Sequence, residues 1–317
     1  MDTVITPLGL KEDLLTGMEF SPASLRDFFG LAAEMKSHPD RYRDSLAGRV
    51  FVLIFEKPSL RTRVTFETGI ANLGGSSIFL DHTGAKMSER EPIRDIARNL
   101  ERWVQGIVAR VFAQESLEEL AANANIPVVN ALSDKFHPCQ ALADFFTLQE
   151  RYGDLRGLQL AYVGDGNNMC HSLMNIGARC GAHVRVATPK GYEPDPAVVA
   201  ESKRVARETR GKIDVMRSPE DAVAGAQAVY TDVWASMGQE SEAKKREKIF
   251  ARYQVNETLF ARALPDAVFL HCLPAHRGLE VTAGVIDSLR SIIYDQAENR
   301  LHVQKAVLHS LVNSQGS

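Results

Sequence analysis

The chain has 317 residues, 44% of them hydrophobic, with 37 basic and 40 acidic residues and a formal net charge of -3. This length favours two domains of roughly 150 residues, each able to bury its own core. The evenly mixed charge provides no electrostatic footprint for nucleic acid or an anionic membrane, so neither is expected as a partner. No apolar segment is long enough to span a bilayer, and the first residues resemble no targeting sequence, so a cytoplasmic protein is expected.

Short β-rich runs alternate with amphipathic helical segments along most of the chain. The predicted strands are 50–55, 77–80, 106–112, 127–130, 158–164, 183–188, 213–216, 227–232 and 267–271. Several are continuous apolar runs, such as Leu158-Gln159-Leu160-Ala161-Tyr162-Val163, which are typical of parallel strands covered on both faces. The pattern predicts an α/β fold with two doubly wound parallel-sheet lobes.

Helix signals lie between these strands. Ser21-Pro22 and Ser218-Pro219 have the sequence of a helix N-cap and first turn, and Gly74-Gly75 is typical of a helix end. Four predicted strands precede the helical segment 139–152 and five follow it. This segment is therefore expected to be a rigid connection between the lobes.

The predicted domain division follows from that connecting helix. The first domain is expected to span 1–138, and the second 139–298, including the connector. The last amphipathic segment, 299–313, is expected to form a helix that packs back onto the first lobe.

Ser59-Leu60-Arg61-Thr62-Arg63 directly follows the apolar run Phe51-Val52-Leu53-Ile54-Phe55. A strand that ends in hydroxyl and guanidinium groups and then opens a helix offers backbone N–H donors, a favourable dipole end and fixed positive charge. This combination predicts a site for a small anion with phosphate geometry. An ordinary capped helix with solvated arginines is the alternative interpretation.

Polar residues also follow other strands of the first lobe, where an open α/β sheet binds its ligands. Arg110 lies in the third predicted strand, and His137-Pro138-Cys139-Gln140 follows the fourth. An arginine such as Arg110, taken alone, is more often a snorkelling or ion-paired residue than a ligand. His137 alone is also ambiguous.

The second lobe carries different chemistry. Gly164-Asp165-Gly166-Asn167-Asn168 lacks the third glycine of a dinucleotide fingerprint, and no acidic residue follows the next strand, which argues against a nucleotide-dependent dehydrogenase. The amide of Asn168 suits an amino-acid head group. Asp232, followed by Ser236-Met237-Gly238, places a carboxylate, a hydroxyl and a flexible glycine after another strand.

The cysteines provide one further candidate. The four cysteines are Cys139, Cys170, Cys180 and Cys272. They have neither metal-binding spacing nor disulfide density, so free thiols and no metal site are expected. His271-Cys272-Leu273-Pro274 ends the last predicted strand, and Cys272 is there either an inert core thiol or a catalytic group.

Four motifs together resemble the aspartate/ornithine carbamoyltransferase family, over nearly the whole chain. They are Ser59-Leu60-Arg61-Thr62-Arg63, His137-Pro138-Cys139-Gln140, Asp232 with Ser236-Met237-Gly238, and His271-Cys272-Leu273-Pro274. The last two resemble in particular the members that use ornithine. The resemblance implies transfer of a carbamoyl group from carbamoyl phosphate to the δ-amine of L-ornithine, which gives L-citrulline and phosphate. It also implies no metal or organic cofactor, and a homotrimer or multiple of trimers with active sites at subunit interfaces.

The resemblance also implies residue roles. Carbamoyl phosphate contacts are expected from Ser59, Leu60, Arg61, Thr62, Lys86, Arg110, His137, Gln140, Cys272, Leu273 and Arg300. Ornithine contacts are expected from Asn168, Asp232, Ser236 and Met237. The residues expected to be catalytic are Arg61, Arg110, His137, Asp232 and Cys272.

Two positions depart from the family pattern. Leu60 stands where threonine is common, so a hydroxyl is missing, although the backbone N–H remains. Lys86 stands where relatives tend to carry Gln or His from a neighbouring subunit, and it either adds charge across an interface or points into solvent. A carbamoyltransferase for putrescine or an N-acylated ornithine remains an alternative, as does an inactive ligand-binding relative.

Overall fold

The computed structural model of this chain describes residues 13–235 and 242–313. The chain divides into two compact units, Met1–Phe146 with Glu298–Ser317, and Thr147–Ala297. The division falls after Phe146, whereas the sequence-based boundary lies at residue 138. No helix within the described ranges is both long and apolar enough to cross a membrane.

Strands and helices alternate through the described residues. The strands are β1 (Val50–Phe55), β2 (Ser76–Asp81), β3 (Gly106–Arg110), β4 (Val128–Leu132), β5 (Gln159–Val163), β6 (His183–Ala187), β7 (Lys212–Met216), β8 (Ala228–Thr231) and β9 (Val268–His271). The longer helices are α1 (Pro22–Ser37), α2 (Leu60–Asn72), α3 (Ile93–Leu100), α4 (Gln114–Asn123), α5 (Pro138–Tyr152), α6 (Asn168–Cys180), α7 (Pro196–Thr209) and α9 (Ala243–Phe250), with α12 (Ile293–Asn313) at the end. Three shorter helices are α8 (Pro219–Val223), α10 (Glu257–Phe260) and α11 (Ala283–Ile286). Each predicted strand is confirmed, with its ends shifted by no more than a few residues.

The first unit contains a parallel sheet with the strand order β2-β1-β3-β4. β1 and β3 are almost wholly buried, as their apolar sequences predict. The chain leaves β1 toward β2 on one side and then continues with β3 and β4 on the other. The carboxyl ends of β1 and β3 therefore form a topological switch point, the usual ligand position in an open α/β sheet.

The second unit repeats this arrangement in a parallel sheet with the order β7-β6-β5-β8-β9. Its core includes Val163, Val229 and Phe269 from the strands and Phe250 from α9. The switch point lies between β5 and β8. The predicted fold class, two doubly wound parallel sheets in an α/β protein, is confirmed.

Helix boundaries follow the capping signals in the sequence. Ser21 caps α1 through a reciprocal pair of hydrogen bonds with Ser24, and Ser218 caps α8 by accepting the Asp221 N–H. α2 ends just before Gly74, which has a φ of 82°. A side chain at residue 74 would meet the Arg43 carbonyl oxygen at 2.6 Å, so both the turn and the close approach require glycine.

The C-terminal helix α12 packs on the first unit, as predicted. Lys36 Nζ donates to Asn299 Oδ1 at 2.9 Å, and Lys305 Nζ lies 3.4 Å from the Met35 carbonyl oxygen. The helix begins at Ile293 rather than at residue 299. Ile293 is buried in the core of the second unit, a tertiary contact that extends the helix before its amphipathic pattern starts.

Candidate active site

The first turn of α2 begins at the carboxyl end of β1 and is capped by Ser59. Ser59 Oγ accepts the Thr62 N–H at 3.2 Å and donates to Thr62 Oγ1 at 3.0 Å. Thr62 is buried, whereas the Leu60 side chain is 77% exposed. The cap and an anion site are compatible, because a capped helix still has N-terminal N–H groups that point away from the helix.

Arg300 joins α12 and α5 to this helix start. Its guanidinium donates to Gln140 Oε1 and approaches Thr62 Oγ1 at 3.4 Å. Gln140 Nε2 in turn donates to Asp144 Oδ1 at 2.8 Å. Thr62, Gln140 and Arg300 are far apart in sequence, and the fold of the first unit brings them together.

His137 is buried among cations. Burial lowers its pKa well below the ordinary value of 6.5, and the charges of Arg300, Arg110 and Arg61 lower it further. The imidazole is therefore neutral at pH 7 and retains one N–H donor and one acceptor. Arg110 is itself 8% exposed and is the register partner of Phe55 at the end of β1.

Lys57 adds a fourth cation at the same edge of the sheet. Its Nζ lies over the Phe112 ring, 4.9 Å from the ring centroid. Burial lowers the Lys57 pKa, and the neighbouring Arg110 charge lowers it further. The carboxyl ends of these strands thus carry a cluster of partly or fully buried positive groups. Binding of a multiply charged anion would reduce the repulsion between them.

Lys86 is not brought into this cluster. Its side chain is exposed on the segment after β2. It lines an open cavity of about 490 Å³ together with His82, Glu89 and Arg90.

In the second unit, Cys272 and Asp232 meet at the ends of β9 and β8. The Cys272 thiol donates to Asp232 Oδ1 at 3.0 Å. Asp232 Oδ2 accepts from Asn167 Nδ2 at 2.8 Å, and its Oδ1 also accepts the Val233 N–H at 2.8 Å. A thiol, a carboxylate and an amide from three strand ends thus form one hydrogen-bonded group.

Asn167 has a second role as the N-cap of α6. Its Oδ1 accepts the N–H groups of Met169 and Cys170, and the Tyr162 hydroxyl also donates to it at 3.2 Å. Asn168, the predicted ligand, is the first residue of α6. The predicted ornithine contacts Ser236 and Met237 lie outside the described residues.

The turn after β9 is held by His271. Leu273 has a φ of 59°, a left-handed conformation that costs a residue with a side chain about 1–2 kcal/mol. Its N–H donates to His271 Nδ1 at 2.8 Å, and His271 Nε2 lies 3.2 Å from Glu280 Oε1. Because Nδ1 accepts, Nε2 carries the proton, and the buried Glu280 carboxylate fixes that tautomer.

Asp232, His271 and Cys272 are also the group whose spacing would suit a metal ion. Their ligand atoms all lie within 4.8 Å of one another. Both ring nitrogens of His271 already have hydrogen-bond partners, so a metal ion would have to displace one.

A buried ion pair lies at the switch point between β5 and β8. Arg246 on α9 donates to Asp165 Oδ2 at 2.7 Å and to the Trp234 carbonyl oxygen at 2.8 Å. Burial raises the pKa of Asp165, and the Arg246 charge opposes that rise. The pair therefore holds the residues after β5 and after β8 against the same guanidinium.

The fold thus brings two sets of predicted residues together. In the first unit these are Ser59, Arg61, Thr62, Arg110, His137, Gln140 and Arg300. In the second unit they are Asp232, Cys272 and Leu273, with Asn168 at the adjoining helix start. Asn167 and Glu280 had not been predicted. The N-cap preference of Asn before an apolar helix could have indicated Asn167, whereas the contact between Glu280 and His271 has no local sequence signal.

Comparison with known proteins identifies the class to which these two units belong. Residues 12–150 match the family model described as "Aspartate/ornithine carbamoyltransferase, carbamoyl-P binding domain". Residues 156–311 match the model described as "Aspartate/ornithine carbamoyltransferase, Asp/Orn binding domain". The chain belongs to the aspartate/ornithine carbamoyltransferase family.

Relatives that are similar over nearly their whole length are named ornithine carbamoyltransferase. The chain is 52% identical to the ornithine carbamoyltransferase of Anoxybacillus flavithermus over 304 residues, 95% of this chain and 96% of that relative. It is 50% identical to that of Thermococcus kodakarensis over 301 residues, 93% and 95% of the two chains. The solved ornithine carbamoyltransferase from Pyrococcus furiosus superimposes with a TM-score of 0.91 at 47% identity and covers 96% of this chain and 97% of its own.

Proposed function

We propose that this protein transfers the carbamoyl group of carbamoyl phosphate to the δ-amine of L-ornithine, giving L-citrulline and phosphate. The observation that carries the proposal is that each unit has a group of chemically distinct side chains at its own topological switch point. One is a cluster of cations at the start of α2, and the other is the Cys272–Asp232 pair. Similarity to relatives named ornithine carbamoyltransferase supports the choice of substrates.

The first unit is proposed to hold carbamoyl phosphate. The N–H groups at the start of α2, with Ser59 and Thr62, suit phosphate oxygens. Arg61 and Arg110 are proposed to neutralise the phosphate and the charge that develops on the carbonyl oxygen. Neutral His137 is proposed to donate a hydrogen bond to the carbonyl without adding another positive charge.

The second unit is proposed to bind the amino acid through Asn168 and Asp232. The δ-amine of ornithine resembles the amine of lysine and is mostly protonated near pH 7, so it must lose a proton before it attacks. Cys272 with Asp232 is proposed to bind the δ-ammonium and take that proton. The neutral nitrogen then bonds to the carbonyl carbon, and the bond from that carbon to the phosphate oxygen breaks. The nitrogen loses its second proton to the departing phosphate, which leaves the neutral ureido group of citrulline.

Assembly and location are proposed from the family relationship. We propose a homotrimer or a multiple of trimers, in which Lys86 reaches a neighbouring active site, and a cytoplasmic location. The proposed carbamoyl phosphate domain comprises 1–138 with helix 299–313, and the proposed ornithine domain comprises 139–298. No resident metal or organic cofactor is proposed for the reaction.

The experiment that tests the function compares acceptors. Purified protein is supplied with carbamoyl phosphate and with ornithine, putrescine or N-acetylornithine, and the carbamoylated product is measured. We expect kcat/KM for ornithine to exceed that for either other acceptor at least about a hundredfold, because each analogue lacks a charged group that the site would bind. Equal use of putrescine would favour the alternative acceptor. No product from any acceptor would favour an inactive ligand-binding relative.

A further inference from the structure

Glu56, which directly follows β1, has no role in the sequence-based predictions. It is 2% exposed, and its carboxylate oxygens accept the N–H groups of Met87 and Phe112, each at 2.7 Å. Its own N–H donates to the Arg110 carbonyl oxygen at 2.8 Å, and its carbonyl oxygen accepts the Gly84 N–H at 3.2 Å. A single residue therefore makes two hydrogen bonds to the segment after β2, one to the last residue of β3 and one to the segment after β3.

This geometry requires a carboxylate. Burying a charged group is unfavourable unless hydrogen bonds compensate it, and here each oxygen accepts one short backbone hydrogen bond. A glutamine at residue 56 has one acceptor oxygen and one amide NH₂, so it could accept only one of the two N–H groups. The remaining backbone N–H group, of Met87 or Phe112, would then face the glutamine NH₂, which is also a donor.

The two segments that Glu56 holds carry proposed anion contacts. Met87 directly follows Lys86, and Phe112 lies two residues after Arg110. Phe112 also places its ring beside the Lys57 ammonium. The negative charge of Glu56 partly offsets the effect of burial on Lys57, so it acts as a counter-charge in an otherwise cationic edge.

We propose that Glu56 is a positioning residue for carbamoyl phosphate, which fixes the segment that carries Arg110 at the carboxyl end of β1. It also fixes the segment that carries Lys86, the residue proposed to reach a neighbouring active site. This inference rests on the proposed function for the identity of the anion. Glu56 itself is not proposed to contact the substrate. It acts through the backbone of residues 84–87 and 110–112.

The test uses Glu56→Gln and Glu56→Asp in the full chain. Isothermal calorimetry with inorganic phosphate measures the anion site directly, and hydrogen–deuterium exchange reports on peptides that cover Met87 and Phe112. We expect Glu56→Gln to weaken phosphate binding about tenfold, the effect of one lost charge-assisted hydrogen bond, and to speed exchange in at least one peptide. Glu56→Asp keeps the charge but is shorter, and we expect a smaller loss.

The matched control is Glu101→Gln. Glu101 also accepts a backbone N–H, that of Asn125 at 2.8 Å. Asn125 lies just before β4, at the amino ends of the strands, whereas Glu56 lies at their carboxyl ends. We expect this variant to keep wild-type phosphate affinity and wild-type kcat/KM for carbamoyl phosphate.

The outcomes separate this inference from the proposed function. If wild-type protein forms citrulline but Glu56→Gln retains wild-type phosphate affinity and wild-type kcat/KM for carbamoyl phosphate, the positioning role is overturned. Failure of both Glu56 variants to fold would assign Glu56 to fold stability alone and would also overturn it. If wild-type protein forms no carbamoylated product, the proposed function fails, while the phosphate titration still decides the role of Glu56.

Discussion

At the scale of single residues, His137 shows how the first unit sets the chemistry of a group through its neighbours. Burial and three guanidinium charges all favour the neutral imidazole. A neutral donor beside cations can polarise a carbonyl group without repelling the arginines that are proposed to bind the same ligand. The same neutrality has a consequence for stability.

We predict that His137 makes the protein less stable as the pH falls below 6.5. In the unfolded chain the imidazole takes up a proton near its ordinary pKa, whereas the folded protein holds it neutral to much lower pH. The unfolded state then binds more protons, so the stability present above pH 6.5 is lost progressively toward the lowered folded pKa. One such group contributes a slope of up to about 1.4 kcal/mol per pH unit.

The measurement compares wild type with His137→Gln by chemical denaturation between pH 7.5 and 5, a range of about two and a half units around the pKa of free histidine. Burial also lowers the pKa of His302 and His309, but these residues contribute equally to both proteins. We expect a shallower pH dependence in the variant. Identical slopes would show that His137 takes up a proton in the folded state as readily as in the unfolded state.

Arg61 gives the second prediction. We expect Arg61→Ala to lower kcat/KM for carbamoyl phosphate at least about tenfold, because it removes a charge-assisted contact and leaves the dianion less neutralised. Arg43→Ala is the control, since Arg43 is an exposed partner of Asp40 outside the site. Wild-type kinetics in folded Arg61→Ala protein would disprove the assignment of the phosphate site.

At the scale of elements, both candidate sites are built from a helix start beside a neighbouring strand end. Ser59 caps α2 beside the end of β3, and Asn167 caps α6 beside the end of β8. In each case the cap and the proposed ligand-binding groups lie in or beside the same first turn of the helix. The amide of Asn167 joins the two roles directly, because its oxygen caps the helix and its NH₂ orients Asp232.

We predict that Asn167→Ser and Asn167→Ala separate these roles. Serine keeps a cap acceptor but does not reach Asp232, so we expect near-wild-type stability with KM for ornithine raised about tenfold. Alanine loses both contacts, and we expect a further loss of about 0.5–2 kcal/mol in the free energy of unfolding. Wild-type KM for ornithine in Asn167→Ser would show that the bond to Asp232 does not position the acceptor.

The sequence predicted the elements better than the contacts between them. The strands could be predicted because buried parallel strands are apolar runs bounded by turn residues, as in Val50–Phe55. The motif after β1 could be interpreted because its hydroxyls, arginines and helix start are contiguous. Glu56 and Arg246 could not, because each acts through partners more than 25 residues away, such as Met87 and Asp165. The hydrophobic periodicity of a segment predicts its own secondary structure, but it does not indicate which distant residue its polar side chains will contact.

At the scale of the whole molecule, exposed apolar side chains on the first unit bear on assembly. Leu60 and Val64 are 77% and 50% exposed and lie one turn apart on α2, and Ile78 on the edge strand β2 is 49% exposed. Exposed apolar side chains one helical turn apart, such as Leu60 and Val64, are typical of a surface that another chain covers. This observation supports the proposed trimer.

We predict that light scattering with size-exclusion chromatography gives three times the chain mass of 35.0 kDa, or a multiple of that value. Val64→Glu is expected to lower the measured mass, because it would bury a charge in an apolar contact. Leu289→Glu alters an equally apolar residue, 106% exposed on the second unit, and serves as the control. A wild-type monomer that is fully active would contradict the proposed assembly.

The proposed reaction forms a new bond between the carbamoyl carbon and the δ-nitrogen of ornithine. The most direct test is a ¹³C NMR spectrum of the reaction of ¹³C-carbamoyl phosphate with ornithine labelled with ¹⁵N at the δ position only. We expect one product, citrulline, whose ureido carbon is split by the ¹⁵N nucleus, while ornithine labelled only at the α position gives an unsplit ureido carbon. Phosphate release without a carbon–nitrogen coupling, or a coupling to the α-nitrogen, would contradict it.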